Sequence, residues 1–167
     1  VNIWKCANNG DYAGIKRCIA AGADVNAADR NDRTQLQCTA FYGHTRCAEL
    51  LIENGAVVDK ALKNGATPLF AAPEKGHVDV VHILLAKGAN VDSATNKGVT
   101  PLVAAAYKKH FDVVRLLLEN GADKTIKYRD KTAAAWARSR GRGDIADFID
   151  AFLPPLFSAS EQGHLRT

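Results

Sequence analysis

The residues of this sequence that could do chemistry are cysteines, histidines and acidic residues. Cys47 lies three residues after His44, and a histidine beside a thiol could act as the base for a nucleophile. Cys47 also falls among the apolar positions of a predicted helix, where a cysteine packs as a small core residue. The sequence therefore favours core packing over a catalytic role for Cys47.

Three histidines recur at equal intervals along the chain: His44, His77 and His110. A side chain needed in every unit of a repeated structure produces this pattern, whereas a single active site or metal centre does not. The acidic segment that begins at Asp24 recurs in the same way, as a connector between repeats. No phosphate-binding loop, dinucleotide-binding motif or nucleophile elbow is present. We therefore predict no catalytic residues, no metal ligands and no cofactor.

The cysteines indicate a compartment rather than a reaction. They are Cys6, Cys18, Cys38 and Cys47, with no Cys-x-x-Cys pair and no secretory segment ahead of them. This pattern predicts thiols in a reducing compartment, the cytoplasm or the nucleus. No apolar run reaches the roughly 20 residues that cross a bilayer, so we expect no membrane association. The sequence has no methionine, which indicates that it begins inside a longer protein or after processing.

Two markers with a common period reveal the elements that position these side chains. Gly-Ala recurs at equal intervals, beginning at Gly22, Gly55, Gly88 and Gly121. Threonine recurs in phase with it, at Thr34, Thr67 and Thr100. The next threonine, Thr132, stands one position earlier than this period requires, which implies a one-residue deletion in the last loop. Apolar residues between the markers have the i, i+1, i+4, i+5 spacing of one buried helical face.

Each repeat is predicted to contain a polar loop, a short helix, a glycine-centred turn and a longer amphipathic helix. Threonine is a common N-cap, and proline is tolerated in the first helical turn, because its missing N–H would have no partner there. Pro73 lies beyond that turn and predicts a kinked or shortened helix. Lys109 replaces the glycine of the turn, where a left-handed conformation strains any other residue.

The motifs Thr67-Pro68-Leu69 and Thr100-Pro101-Leu102, followed by alanine-rich helices, Gly-His and Leu-Leu, resemble those of ankyrin repeats. The resemblance implies an all-α solenoid of stacked helix-turn-helix units with β-hairpin-like loops, because one such unit cannot bury its own apolar face. About five repeats are expected over residues 1–153, with degenerate units at both ends. Their ranges are 1–28, 29–61, 62–94, 95–126 and 127–153.

Two features lie outside the usual repeat pattern. The histidine that usually follows Thr-Pro-Leu is replaced by Gln37, Phe70, Val103 and Ala135. Its hydrogen bonds between repeats cannot be assumed, so other contacts must substitute for them. Residues 154–167 form a C-terminal tail, in which we expect Leu156 and Phe157 to fold back onto the last repeat.

In ankyrin repeats, a concave groove lined by the loop tips and the ends of the first helices binds partners. Here the groove comprises residues 29–33, 41–42, 62–66, 74–75, 95–99, 107–108, 127–131 and 139–140. It carries ten basic and four acidic residues, a net charge of +6, whereas the whole chain carries +4. Aromatic residues lie among these charges at positions that the repeat leaves exposed. The predicted partner-binding residues are Arg30, Arg33, Phe41, Tyr42, Lys63, Lys75, Lys97, Tyr107, Lys108, Tyr128, Arg129, Lys131 and Arg140.

These features predict a monomeric, non-enzymatic scaffold that binds an acidic protein or peptide. Aromatic and arginine side chains supply much of the binding energy at interfaces, and charges speed and orient association. Charged loop tips also keep a protein in solution, so charge alone does not establish binding. Two alternatives stay open. One is nucleic-acid binding along the same groove, which the lack of a recognition helix disfavours. The other is a targeting arm of a larger enzyme.

Overall fold

A computed structural model describes residues 2–154, which contain ten α-helices and no β-strand. The helices are α1 Ile3–Asn9, α2 Tyr12–Ala20, α3 Gln35–Tyr42, α4 Thr45–Glu53, α5 Pro68–Lys75, α6 Val78–Ala86, α7 Pro101–Lys108, α8 Phe111–Glu119, α9 Ala133–Ser139 and α10 Gly143–Ala151. In this part of the chain no helix has the length and apolar character needed to cross a membrane. The expected fold-back of Leu156 and Phe157 lies outside the described residues.

The helices form two layers. In the inner layer α3 packs between α1 and α5, and α7 packs between α5 and α9. In the outer layer α4 packs between α2 and α6, and α8 between α6 and α10. One apolar core runs between the layers from Ile3 to Ile149. The predicted all-α solenoid of helix-turn-helix units is confirmed, and two helices fall in each of the five expected ranges.

Threonine precedes the inner helices α3, α5, α7 and α9, as predicted. The hydroxyl oxygens of Thr34, Thr100 and Thr132 each accept a hydrogen bond from the backbone N–H three residues later. Thr67 precedes α5 with the same extended backbone, but its hydroxyl is buried and has no hydrogen-bond partner. Proline at the first position of α5 therefore does more to start this helix than the threonine side chain does.

Of the two effects expected of Pro73, a kink or a shorter helix, the shortening does not occur. Pro73 lies inside α5, yet α5 has 8 residues, as many as α3 and α7. Proline removes one intrahelical hydrogen bond, to the carbonyl four residues earlier. The ring is buried and α5 packs between two other inner helices. Packing in the stack therefore maintains the helix beyond the proline.

Three histidine rings connect consecutive repeats. Nε2 of each ring lies within hydrogen-bonding distance of a carbonyl oxygen in the preceding repeat: His44 with Asn8 at 2.9 Å, His77 with Phe41 at 3.0 Å and His110 with Glu74 at 3.2 Å. Each ring also lies against the glycine of the preceding turn. A Cβ added at Gly43 would come within 2.5 Å of Nδ1 of His77. The periodic histidines are structural, as predicted.

Other polar contacts replace the missing histidine after Thr-Pro-Leu. In the second repeat Nε2 of Gln37 donates to the carbonyl oxygens of Lys60 and Ala66, at 3.1 and 2.8 Å. Connector side chains add further links, because Asp92 accepts a hydrogen bond from the N–H of Asp123 at 2.9 Å. Equivalent connector bonds join residue 26 to 57 and residue 59 to 90. The recurring acidic connectors are therefore structural as well.

We expect Lys109→Gly to raise the free energy of unfolding by about 0.5–1 kcal/mol, because glycine adopts the left-handed conformation without a Cβ clash. Lys109 has φ 70° and ψ 28°. At the three earlier turns, a histidine ring from the next repeat lies against the turn glycine. The residue equivalent to that histidine in the repeat after Lys109 is Arg142. Urea unfolding followed by circular dichroism measures the change. Gly141→Lys is the matched opposite variant, because Gly141 has φ 74° and open space around an added Cβ. It should destabilise, and a lower midpoint for Lys109→Gly would contradict the strain argument.

Gln35→Pro is expected to stabilise the protein by about 1–3 kcal/mol, the cost of a buried amide without partners. Gln35 is fully buried, and neither its Oε1 nor its Nε2 has a hydrogen-bond partner. It begins α3, where α5 and α7 begin with Pro68 and Pro101. Gln35→Leu removes the amide and keeps the backbone N–H, so it separates the two effects. A loss of stability in both variants, measured as a lower urea midpoint, would contradict this account.

Candidate functional site

The loop tips of repeats two to four form a continuous row. Each loop is closed by a hydrogen bond from the N–H of its first residue to the carbonyl of its last, in 29–33, 62–66 and 95–99. Neighbouring tips are joined as well, because the N–H of Lys63 donates to the carbonyl of Asn31 at 3.2 Å. The N–H of Asn96 donates to the carbonyl of Asn64 at 2.9 Å. Three exposed basic side chains follow this row: Arg30, Lys63 and Lys97.

The last loop is one residue shorter, as the sequence spacing predicted. Tyr128 and Lys131 exchange two backbone hydrogen bonds, of 3.0 and 3.1 Å, which leaves Arg129 and Asp130 as a two-residue turn. Both turn residues have positive φ, 47° and 61°, as in the type I′ turns that close tight hairpins. This turn holds Tyr128 against Trp136, whose Nε1 donates to the Tyr128 carbonyl at 3.0 Å.

Trp136 is the centre of an aromatic cluster that the repeat pattern did not indicate. Tyr128 stacks on the indole, and Tyr107 meets it edge-on, each with ring centroids 5.7 Å apart. Sequence reasoning missed Trp136 because it lies inside α9, away from the helix ends and loop tips. The signal that could have found it is a bulky ring at the position where α5 and α7 have Ala71 and Ala104.

The aromatic cluster borders a cleft of about 290 Å³ between α5, α7 and α9. The apolar lining includes Phe70, Val99, Val103, Tyr107, Tyr128 and Trp136. Charged residues also line it, and two of them, Glu74 and Lys108, form an ion pair of 3.7 Å. The third is Arg129. Repeats three to five together build this cleft, so no single repeat contains it.

The predicted groove residues differ in exposure. The predicted lysines and arginines are all exposed, and Phe41 and Tyr42 are exposed by 41% and 50%. Tyr107 and Tyr128 are less exposed than these two, because each is half-buried. The expectation that all four aromatic residues lie exposed is therefore wrong for these two, because Trp136 covers part of each ring.

Four basic side chains of the groove lie over aromatic rings of the same groove or its cleft. The distances from the charged group to the ring centre are 4.5 Å for Lys75 over Phe41, 4.6 Å for Arg140 over Tyr107, 4.9 Å for Lys131 over Trp136 and 5.3 Å for Arg129 over Tyr128. Among the described residues only two predicted cations pair with carboxylates, Arg33 with Asp29 and Lys108 with Glu74. A ring does not neutralise a cation, so the groove keeps a positive potential.

Acidic residues of the outer helix α10 are paired with arginines. Nε and Nη2 of Arg142 donate to the two carboxylate oxygens of Asp144 at 2.9 and 2.7 Å. These bonds lower the pKa of Asp144 to about 2. Arg138 donates to Asp147 and Asp150 at 3.0 and 2.7 Å. The carboxylates at this end of the stack are therefore paired with Arg138 and Arg142 rather than with the basic residues of the groove.

The cysteines occupy the core, as predicted. Their exposed fractions are 5% for Cys6 and Cys18 and 2% for Cys38 and Cys47, and each is a thiol rather than half of a disulfide. Burial raises the pKa of the thiols of Cys6, Cys38 and Cys47, and the Asp11 carboxylate raises that of Cys6 further. Fewer thiolates form at a raised pKa, so these thiols are poor nucleophiles.

Neither thiol nor metal chemistry has a prepared site in the described part of the chain. The His44 ring, considered as a base for Cys47, instead bonds to the carbonyl of Asn8 at 2.9 Å. Residues 2–154 contain no group of three or more histidine, cysteine, aspartate or glutamate side chains that could hold a metal ion. The basic aromatic groove and its cleft are the candidate functional site.

The four thiols should react slowly with a colour-forming disulfide reagent in the folded protein, because they are buried and three have a raised pKa. Concentrated urea should expose all of them to fast reaction. The absorbance of the released thiolate gives the rate, and mass spectrometry locates the label. Rapid labelling of two or more cysteines without urea would contradict the core assignment and reopen a redox role.

Comparison with known protein families gives one match. A family model described as ankyrin repeats matches the chain three times, over residues 3–95, 56–128 and 90–150. The three matches overlap and run from the first residue of α1 into the last turn of α10. No curated protein sequence gives a significant match to the chain.

Proposed function

The chain belongs to the ankyrin-repeat family, and from this premise we propose that it binds an acidic protein or peptide along its concave groove. Ankyrin repeats are in general modules for protein–protein interaction. The observation that carries the finer proposal is the row of positive charges without carboxylate partners, interleaved with aromatic rings. A partner with acidic residues would supply those carboxylates.

The charges and the rings of the groove have different tasks in this proposal. Arg30, Lys63 and Lys97 follow the row of loop tips, where their summed field attracts an acidic partner and increases the association rate. Phe41 and Tyr42 expose aromatic surface beside that row. Burial of such surface slows dissociation, because aromatic residues are frequent among the side chains that carry binding energy.

We propose that the chain acts as a scaffold without enzymatic activity or cofactor, as a monomer in the cytoplasm or nucleus. The residues that could do chemistry already have structural tasks in the described part of the chain. His44 connects two repeats, Cys47 lies in the core, and Asp92 accepts a hydrogen bond from the next connector. If the chain is the targeting arm of a larger enzyme, the groove would bind the protein on which that enzyme acts.

Single-stranded nucleic acid is the second candidate partner, because arginine beside aromatic rings also serves to track phosphates and stack bases. Two contacts count against it. Tyr128 stacks on Trp136 and Lys131 lies over the same ring, so less of this ring is available for a base to stack on. Competition by heparin and poly-dT during a salt titration separates the two classes. A steep dependence of log affinity on log salt concentration would favour nucleic acid.

Reversing Arg30, Lys63 and Lys97 to glutamate should lower the association rate with an acidic partner by about tenfold or more, because steering depends on the field of neighbouring charges. Salt should then affect the rate much less. The partner is first captured on the immobilised chain and identified by mass spectrometry, and biolayer interferometry then gives both rate constants. Arg33 is left unchanged, because its Nε bonds to Asp29 within a loop, at 3.1 Å.

The control reverses Lys16, Arg17 and Lys87, which lie in or next to the outer helices α2 and α6 and are exposed. It gives the same net charge and should leave both rate constants nearly unchanged. Equal loss of binding in the control would show that net charge, and not the groove, governs association. A captured partner that binds through a basic surface would contradict the proposal directly.

A further inference from the structure

The cleft between α5, α7 and α9 has the size of a side-chain pocket. Its volume of about 290 Å³ corresponds to roughly ten water molecules at about 30 Å³ each. Small-molecule and cofactor sites begin at roughly 300 Å³ and extend to 1,000 Å³. The cleft therefore lies at the small end of this range, where one bulky side chain of a partner, of leucine to phenylalanine size, can occupy it.

The aromatic walls of the cleft are held in place before any partner arrives. The Trp136 indole N–H bonds to the Tyr128 carbonyl, Tyr128 stacks on the indole and Tyr107 meets it edge-on. The tight turn at Arg129 and Asp130 fixes the position of Tyr128. A wall that is already ordered loses little conformational entropy when a ligand binds.

The charged residues around the cleft indicate which residues of the partner lie next to its apolar side chain. An aromatic cluster with a nearby carboxylate could hold a cation, but Glu74 is already paired with Lys108. Three further cations lie over the rings, at 4.6 to 5.3 Å: Arg129, Lys131 and Arg140. A cationic ligand would be repelled by this set, whereas carboxylates next to an apolar group would pair with it.

We propose that this cleft is the specificity pocket of the groove, and that it takes one bulky apolar side chain from a peptide whose neighbouring residues are acidic. The inference rests on the proposed function, since the cleft is part of the same groove. The apolar side chain packs against Trp136 and Val103, and the adjacent carboxylates meet Arg129 and Lys131 at the edge. The rest of the groove supplies attraction, and the cleft selects the sequence.

Three small probes with one aromatic ring and different head groups test the pocket: 3-phenylpropionate, 3-phenylpropan-1-ol and 3-phenylpropylammonium. They are titrated into the ¹⁵N-labelled full chain, and the indole N–H signals are followed by NMR. The chain has two tryptophans, and a Trp136→Phe variant assigns the signals. Trp4 is the internal control, because it lies in α1 with Arg33 at 6.0 Å from its ring.

The expected result is a saturable shift at Trp136 with no comparable shift at Trp4. The propionate should bind at least about threefold more tightly than the ammonium compound, the size of one exposed charge interaction, with the alcohol between them. Tighter or equal binding of the ammonium compound would overturn the proposal in favour of a cation site. Equal shifts at both tryptophans, or none at Trp136, would overturn it as well.

Two double variants locate the charge effect. Arg129→Gln with Lys131→Gln should weaken propionate binding to the level of the alcohol, without changing the alcohol. Lys16→Gln with Lys87→Gln removes the same charge from positions in or next to the outer helices α2 and α6 and should change neither. All four side chains are exposed, and circular dichroism checks that the fold is retained. Unchanged propionate affinity in the first variant would overturn the pocket's preference for acidic ligands.

The probes need no natural partner, so the outcome is separate from that of the charge-reversal experiment. If the probes fail to bind at Trp136 while reversal of the loop tips slows partner association, the pocket is refuted and the groove function stands. If the probes bind as expected while reversal has no effect on the partner, the pocket stands and the proposed function of the groove is refuted.

Discussion

Stacking between repeats is the constraint on which the whole structure depends. Helices of 7 to 9 residues are too short to be stable alone in water, and each pair must bury its apolar face against the next pair. The histidine rings lie at these contacts. Each ring bonds to a carbonyl of the preceding repeat and fills the space beside the turn glycine of that repeat. Because this spacing is kept, the loop tips line up and their charges form one row.

The fifth repeat departs from this scheme, and its departures build the cleft. One residue fewer in the loop gives the tight turn that holds Tyr128 on Trp136. The end of the stack also uses a different cap. Lys124 occupies a position where earlier repeats have valine, and its Nζ donates to the carbonyl oxygens of residues 149, 150 and 152 at 3.2, 3.0 and 2.8 Å. A lysine thus satisfies carbonyls at the end of α10.

The distribution of charge connects the fold with the proposed function. Four cations of the groove lie over rings, which order the side chains but leave the charge available. Carboxylates of α10 are bound by Arg138 and Arg142, so the outer face at that end is locally balanced. Under the proposed function, the uncompensated charge of the groove would attract acidic partners to this side of the molecule.

The sequence by itself determined the features that are local or periodic. The constant repeat period predicted the helices, the threonine caps, the structural histidines and the charged loop tips, because each follows from neighbouring residues or from repetition. The deletion before Thr132 was visible for the same reason. A sequence pattern therefore sufficed for the solenoid and for the positive side of the groove.

Only the tertiary structure decided the contacts between repeats. The helix containing Pro73 persists because two neighbours pack on it, and Tyr107 is half-buried because Trp136, from the next repeat, contacts it. Such pairs lie about one repeat apart in the chain, and no local pattern of residues encodes whether they touch. The cleft exists because three inner helices and one shortened loop meet, and that meeting depends on the geometry of stacking.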